Sequence, residues 1–331
     1  MLRKYLKKEL NQSLIISLIK MISLLTTVFT VFGYIFFGFI LKKTNIISNN
    51  IFKFYNFLSF NILLPIVLLT NFWNISIPKL ISYNFLIVFF GAGITVFIIG
   101  FYIGKIFFNL KTDDCALFGL GSCFGNSVAF GIPLMFSILG PVDAMPYMIL
   151  VLFHGLIHFT YTTIIIEGYR NRELPSFKLI TSTILGLLKN VILFGMFVGF
   201  FLNTSNIEMP NTLRNILIPL SHIALPALLI SLGVAIGGYK IIHNISHSLI
   251  LTGLKNIVYP TITFLTANYV FSMPHLLVTT VTLAAALPSG TQTYYFSYRY
   301  NSLQQTITSN IVLSIFVSFF TLSFLIKIFG Y

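Results

Sequence analysis

Charged side chains are scarce in this chain of 331 residues. Asp, Glu, Lys and Arg together make up 8% of the sequence, and only seven residues are acidic. A soluble domain carries about 25% charged residues, so most of this surface could not be kept in water. Because hydrophobic residues account for 56% of the chain, the composition excludes an ordinary soluble enzyme and indicates an integral membrane protein.

Cysteine is also rare, and the alternating pattern of membrane β-strands is missing. Cys115 and Cys123 are the only cysteines and lie near one apolar segment, which supports neither a disulfide framework nor a zinc site. No cofactor is expected. Runs such as residues 84–100 are apolar on every side, which favours spanning helices.

Long apolar runs recur from end to end, and each is close to the length that spans a bilayer. We predict a multi-pass protein of the cell membrane with about ten helices. Residues 1–22 form a basic amphipathic tail at the membrane surface rather than a cleaved signal peptide. Residues 23–166 and 180–331 hold five runs each, and residues 167–179 connect them. The runs lie at residues 23–41, 52–72, 81–104, 114–139, 144–166, 180–202, 213–238, 247–271, 276–300 and 303–329.

The formal net charge of +13 fits membrane anchoring better than nucleic-acid binding, because the basic residues lie in short gaps between apolar runs. By the positive-inside rule, the connections after spans 1, 3, 5, 7 and 9 are cytoplasmic and both termini are outside. The basic tail conflicts with this orientation. The connections after the other spans hold only Lys79 and Arg214, whereas the first set holds Lys42, Lys43, Lys53, Lys105, Lys111, Arg170, Arg172, Lys178, Lys240, Lys255 and Arg299.

An internal repeat relates the two sets of five runs. Residues 58–69 read LSFNILLPIVLL and residues 220–230 read LSHIALPALLI, so that Leu-Ser and Leu-Pro align with one gap. Both segments belong to the second run of their set. Since each set has an odd number of spans, the repeat predicts two halves of opposite orientation.

The fourth and ninth runs contain residues that interrupt helices. Proline removes a backbone donor and glycine relaxes the chain, so both helices should break near mid-membrane. The half-helices after the breaks would direct their positive N-terminal ends at a common site, which favours an anion such as a carboxylate. The interrupting residues are Gly125, Gly131, Pro133, Pro288 and Gly290, and the polar candidates for substrate binding are Asn126, Ser127, Ser289, Thr291 and Gln292.

These segments resemble the auxin efflux carrier family. Residues 125–133, with Asn126 and Gly-Ile-Pro at 131–133, are similar to the motif of its fourth helix, and residues 286–301 are similar to that of its ninth. Gly33-Tyr34 and Leu64-Pro65 also fit. The resemblance implies two inverted five-helix repeats, a crossing of helices 4 and 9 at Pro133 and Pro288, and a role for Asn126 in holding a substrate carboxylate.

Two departures narrow this implication. Plant members often have proline before the asparagine, where this chain has Gly125, and many have a long central loop, whereas residues 167–179 are short. The compact form is more similar to bacterial members, whose substrates include small organic acids, and does not favour auxin. We therefore predict an auxin efflux carrier-like permease that works by alternating access, with a small organic anion and the lipid bilayer as partners and no nucleic acid.

Three other readings stay open. A sodium-coupled anion symporter would need ion ligands at mid-membrane, but all seven acidic residues lie near span ends or in loops, which leaves amides and carbonyls as ligands. His154 and His158, at i and i+4, would suit a zinc-dependent intramembrane enzyme, but the metalloprotease pattern is absent. A non-transporting scaffold would give paired helix breaks no purpose. The sequence does not fix substrate, direction, coupling or oligomeric state, and a homodimer is left open.

Overall fold

The computed structural model describes residues 30–44, 46–74, 83–170, 191–238 and 245–331. The basic tail at residues 1–22 and residues 171–179 of the predicted connection lie outside this part of the chain. Within it the protein is helical, and the extended backbone pairs at one isolated bridge without forming a strand. The expectation of an all-helical protein is confirmed.

The helices are numbered here in chain order. Six of them, α2, α3, α6, α8, α9 and α12, are long and apolar enough to span a membrane. Helix α1 comprises residues 30–43, and α2 runs in succession through Asn49–Leu58, Ser59–Leu63 and Leu64–Asn74. The others are α3 (Tyr83–Phe107), α4 (Thr112–Cys123), α5 (Ser127–Asp143), α6 (Met145–Arg170), α7 (Val191–Thr204), α8 (Asn211–Gly237), α9 (Ile245–Val270), α10 (His275–Ala286), α11 (Gln292–Arg299) and α12 (Gln304–Phe329).

Large apolar side chains on the outside of the protein fit a lipid environment. Phe316, Phe320 and Phe324 of α12 are 59%, 70% and 63% exposed. Their spacing of four residues places them on one helix face. In water such a face would be a liability, whereas hydrocarbon tails solvate it well. The six long helices and these faces make the chain a multi-pass membrane protein.

Three helices widen into a π-helical turn shortly before a proline. Proline cannot donate a hydrogen bond to the carbonyl four residues back, and its ring clashes with that carbonyl. A wider turn avoids both problems and shifts the side chains that it carries. The three turns are Ser59–Leu63 before Pro65, Ser127–Gly131 before Pro133, and Leu254–Val258 before Pro260.

Helices α1, α2, α7 and α8 pack closely on one another and are called the four-helix group below. A Cβ atom added to Gly38 of α1 would lie 2.1 Å from the carbonyl oxygen of Ile230 in α8. A Cβ atom on Gly195 of α7 would lie 2.5 Å from that of Pro65 in α2. Backbones therefore touch at these points, as small residues allow in membrane helices. The hydroxyl of Ser231 donates to Ser59 at 2.8 Å and joins α8 to α2.

The remaining helices, α3 to α6 and α9 to α12, form the second assembly, called the crossing group below. Its contact with the four-helix group includes aromatic rings. Phe32 of α1 packs edge-on against Phe130 of α5, with ring centroids 5.5 Å apart, and against Phe319 of α12 at 4.7 Å. Helix α8 also packs against α5. These ring contacts are apolar and carry no directional hydrogen bond.

The acidic residues that the structure describes lie near helix ends or in a loop, and several join neighbouring helices. Arg170 at the end of α6 forms an ion pair with Asp113 in the first turn of α4, with Nη2 and Oδ2 2.7 Å apart. The same Nη2 atom donates to the carbonyl oxygen of Tyr300 at 2.9 Å. Tyr300 donates its hydroxyl to Glu167 at 3.0 Å, and Ser302 donates to Asp114. These contacts tie α4 and α6 to the segment that follows α11.

Candidate functional site

The two helix breaks meet in the crossing group. Helix α4 ends at Cys123 and α5 begins at Ser127, while α10 ends at Ala286 and α11 begins at Gln292. Between these ends, residues 124–126 and 288–290 run antiparallel and pair at Gly125 and Ser289. This pairing is called the crossing below.

Backbone hydrogen bonds hold the crossing together. The N–H of Asn126 donates to the carbonyl oxygen of Pro288 at 2.7 Å, and the N–H of Gly290 donates to that of Phe124 at 2.9 Å. Non-helical backbone at membrane depth is tolerated only when its polar groups have partners. Each break therefore supplies hydrogen-bond partners for backbone groups that the other break leaves without a helical partner.

The resemblance implied a crossing at Pro133 and Pro288. The two segments pair at Gly125 and Ser289, the residue after Pro288, and Pro133 lies eight residues after Gly125, inside α5. Pro133 is the second residue of the α-helical part of α5, Ile132–Asp143. A proline is accommodated there because the preceding π-helical turn, Ser127–Gly131, avoids the need for an N–H that donates to the carbonyl four residues back. In the second break, proline restricts the residue before it to extended conformations, and Leu287 has φ −54° and ψ 148°.

Two glycines are required by close contacts at the crossing. A Cβ atom on Gly290 would lie 2.5 Å from the ring of Phe124 and 2.9 Å from the carbonyl oxygen of Gly125. A Cβ atom on Gly131 would lie 1.8 Å from the hydroxyl of Tyr147, which donates to the carbonyl oxygen of Ser127 at 2.5 Å. These glycines bring a neighbouring ring or hydroxyl against the backbone.

Among the predicted substrate-binding residues, Asn126 and Gln292 have unused hydrogen-bonding capacity. Asn126 is 1% exposed, and its Oδ1 atom has no partner in the described chain. The Oε1 atom of Gln292 is likewise buried and without a partner there. Ser127 lies 3.0 Å from Nδ1 of His154 through its hydroxyl, and Thr291 is half-buried at the start of α11. The structure thus places all four at the starts of α5 and α11.

Ser289, the fifth predicted residue, is bonded to the chain on several sides. Its N–H donates to the hydroxyl of Ser314 at 2.7 Å, and its own hydroxyl donates to the carbonyl oxygen of Gly121 at 3.3 Å. The amide of Asn310 donates both to Ser289, at 2.9 Å, and to Gly121, at 3.1 Å. Ser289 therefore links the crossing to α4 and α12.

Lys255, which the charge count placed in a cytoplasmic connection, is fully buried inside α9. Its Nζ atom donates to the carbonyl oxygen of Ala285 at 2.5 Å, near the end of α10. The next residue, Asn256, donates to the carbonyl oxygen of Ala286 at 3.3 Å. The charge count was wrong for Lys255 because the residue lies within an apolar run rather than at its edge. That position, typical of functional charges in membranes, is the signal that could have found it.

The two histidines of α6 contact other residues of the protein. His154 stacks on Phe124, with ring centroids 4.3 Å apart, and so joins α6 to the first break. His158 contacts the carbonyl oxygen of His154 through Nδ1 at 2.9 Å, and its Nε2 atom is buried without a partner in the described chain. Within the residues described, no three His, Cys, Asp or Glu side chains come together as metal ligands would.

Comparison with known proteins places the chain in a family. No curated protein matches its sequence. The sequence profile of the family described as "Membrane transport protein" matches residues 23–326, a span that includes both breaks and Lys255. The chain therefore belongs to this family of membrane transporters, the auxin efflux carrier family.

Proposed function

We propose that the protein is a secondary carrier that moves a small organic anion, a carboxylate, across the cell membrane by alternating access. The observation that carries this proposal is the crossing, where an atom of the buried amide of Asn126 has no hydrogen-bond partner among the described residues. Buried polar atoms are rarely left unpaired unless a ligand or water completes them. Membership of the family supports a transport function, and the geometry of the crossing supports a substrate site at that position.

The electrostatics of the crossing favour an anion. Helices α5 and α11 both begin there, and the first N–H groups of a helix lack partners within it. Each helix start also carries a partial charge of roughly +0.5 from the macrodipole. A carboxylate between the two starts would be stabilised by both partial charges.

The side chains around the two starts suit binding followed by release. Neutral donors are offered by Asn126, Ser127, Thr291 and Gln292. Ser289 fixes the crossing behind them through its bonds to α4 and α12. Rotation of an amide exchanges its oxygen and NH2 group, so the unpaired ends of Asn126 and Gln292 can donate to a carboxylate. Each neutral donor contributes less to binding than a charged group would, which eases unloading.

Two inverted halves and two helix groups provide a route to alternating access. Inverted repeats with paired breaks are typical of carriers that expose a central site to each side in turn. Movement of the crossing group against the four-helix group would do this here. The ring contacts of Phe32 with Phe130 and Phe319 would shift without loss of a hydrogen bond.

A sodium-coupled symporter is the second candidate, but the ends of α4 and α10 disfavour it. Sodium in such carriers binds to carbonyl oxygens at half-helix C-termini. Here the carbonyl oxygens of Gly121, Ala285 and Ala286 already accept hydrogen bonds from Asn310, Lys255 and Asn256. We therefore expect uptake into liposomes to be unchanged when a sodium gradient is replaced by a potassium gradient at equal membrane potential.

The decisive variant is Asn126→Ala. Losing a hydrogen bond to a charged group costs about 1.5–3 kcal/mol, so the half-saturating concentration for an anion should rise roughly tenfold to hundredfold. Uptake of radiolabelled lactate, pyruvate, succinate and citrate into proteoliposomes measures it. Asn61→Ala is the matched control, because Asn61 is an exposed amide of α2 that donates to the carbonyl oxygen of Phe57 in its own helix. If Asn126→Ala takes up anions as the parent does, the substrate site does not lie at the crossing.

A further inference from the structure

Lys255 lies where the two breaks come together. A Cβ atom added to Gly125 would be 3.4 Å from both Cε and Nζ of Lys255. On its other side, Nζ bonds to Ala285 and lies 5.0 Å from the ring centroid of Tyr259. One cation is thus held between the first break, the end of α10 and an aromatic face.

The π-helical turn of α9 carries this lysine. The turn Leu254–Val258 precedes Pro260, and a turn of this kind changes the direction of the side chains on it relative to an α-helix. Lys255 and Asn256 both reach carbonyl oxygens at the end of α10 from this turn. Its position is therefore built into the fold.

The charge of Lys255 has no counter-charge in the described protein. The acidic residues there lie near helix ends or in a loop, and the ion pair that forms among them joins Asp113 to Arg170. A backbone carbonyl and an aromatic ring compensate an ammonium only in part, and an isolated charge at membrane depth is costly. An anion that enters the crossing would balance the positive charge of Lys255.

We propose that Lys255 is the counter-charge of the substrate, so that the carrier selects anions by charge and the bound anion and the lysine neutralise each other. This inference rests on the proposed function and adds the residue that decides the substrate's charge. The neutral amides then fix the position of the carboxylate, while Lys255 lowers the free-energy cost of bringing the negative charge of that carboxylate into the protein. Neutral analogues, such as an ester or an amide of the same acid, should be poor substrates.

The balance of charge also predicts an electrical property. With Lys255 present, a loaded carrier holds one more positive charge than a carrier that lacks it. The movement of the loaded carrier should therefore respond differently to membrane potential once the lysine is neutralised, because each charge that moves in the field adds to the voltage dependence. The change is expected whatever the valence of the anion.

The test compares Lys255→Met and Lys255→Gln with the parent and with Lys327→Gln, which makes the same change at an exposed lysine in the last turn of α12. Uptake of lactate, pyruvate, succinate and citrate, and of their methyl esters, is measured in proteoliposomes. Anion exchange is then measured with and without an imposed potential. We expect both Lys255 variants to raise the half-saturating anion concentration about tenfold to hundredfold, to discriminate less against the esters and to change the voltage dependence of exchange.

Each alternative outcome has a distinct meaning. If Lys255→Gln behaves as the parent while Lys255→Met is impaired, the lysine only donates to Ala285 and the inference is wrong. It is equally wrong if both variants keep parent-like affinity and voltage dependence. If Lys255→Met does not fold, Lys255→Gln decides alone, because its amide keeps a donor without the charge. A parent that moves none of the anions refutes the proposed function itself.

Discussion

Single residues at the crossing are constrained by contact rather than by backbone conformation. Gly131 and Gly290 lie where a neighbouring hydroxyl or ring occupies the space of a Cβ atom. Gly253 in α9 differs, because a Cβ atom there would meet nothing within 4 Å. Glycines that look alike in the sequence therefore have unlike roles.

Gly290→Ala should destabilise the protein and lower transport. Overpacking a well-packed site typically costs about 1–3 kcal/mol, and one of the two close contacts here is to backbone, at Gly125, which cannot move aside easily. Thermal unfolding in detergent, with uptake at matched protein levels, measures both effects. Gly253→Ala, as control, should be neutral or stabilise α9 by up to about 1 kcal/mol. Equal melting temperatures for the two variants would contradict the close contact.

At the same scale, the sequence led to some site residues and missed others. Asn126, Ser127 and Gln292 could be predicted because they stand beside glycine and proline. Asn310 and Ser314 could not, since they lie on an unbroken helix and meet Ser289 only through tertiary packing. Lys255 was misplaced because a count of charges treats a lysine inside a run and one at its edge alike.

At the scale of helices, three prolines follow a widened turn, whereas Pro219 and Pro226 lie inside α8 without one. In α2, in α5 and in the first half of α9, a π-helical turn ends two residues before a proline. The sequence predicted irregular helices within the fourth and ninth apolar runs, at residues 114–139 and 276–300, but not the kind of irregularity. At Pro133 it is a widened turn within α5, whereas at Pro288 it is a complete break. Whether a proline widens or breaks a helix depends on the partner that takes the freed backbone groups, and this partner is remote in sequence.

Pro133→Ala and Pro288→Ala should each reduce transport far more than expression. Alanine at 133 can donate to the carbonyl of Ala129, which would close the wide turn and move Ser127 away from His154. Alanine at 288 releases Leu287 from its extended conformation and lets α10 continue through the crossing. Uptake at matched protein levels gives the result.

Pro210→Ala is the control for both variants, because Pro210 is exposed just before α8. It should transport as the parent does. Unchanged uptake in both Pro133→Ala and Pro288→Ala would show that the irregular turns are not needed for transport.

At the scale of the whole molecule, the charge pattern predicts which side of the membrane each connection faces. The residues between α1 and α2 should be cytoplasmic, and those between α7 and α8 external. Thr44 and Ser205 are exposed positions in these two connections, and the native Cys115 and Cys123 are fully buried. The parent protein should therefore show little labelling of its own cysteines.

An impermeant maleimide added to intact cells should label the Ser205→Cys variant and leave the Thr44→Cys variant unmodified. Permeabilised cells should label both, and the parent should be labelled in neither condition. The reverse pattern, with ready labelling of Thr44→Cys in intact cells, would invert the orientation and would agree instead with the basic tail.

The reciprocal hydrogen bonds of the crossing have a consequence for biosynthesis. Asn126 and Phe124 depend on Pro288 and Gly290 for their backbone partners, and about 160 residues separate the two segments. At roughly 5–20 residues per second, the ribosome needs about 10–30 s to make the later segment. If the first break entered the bilayer during that interval, its polar groups would be unpaired, which hydrocarbon does not tolerate. The nascent first half must therefore keep its fourth span near water, in the insertion machinery or at the membrane surface, until the second half arrives.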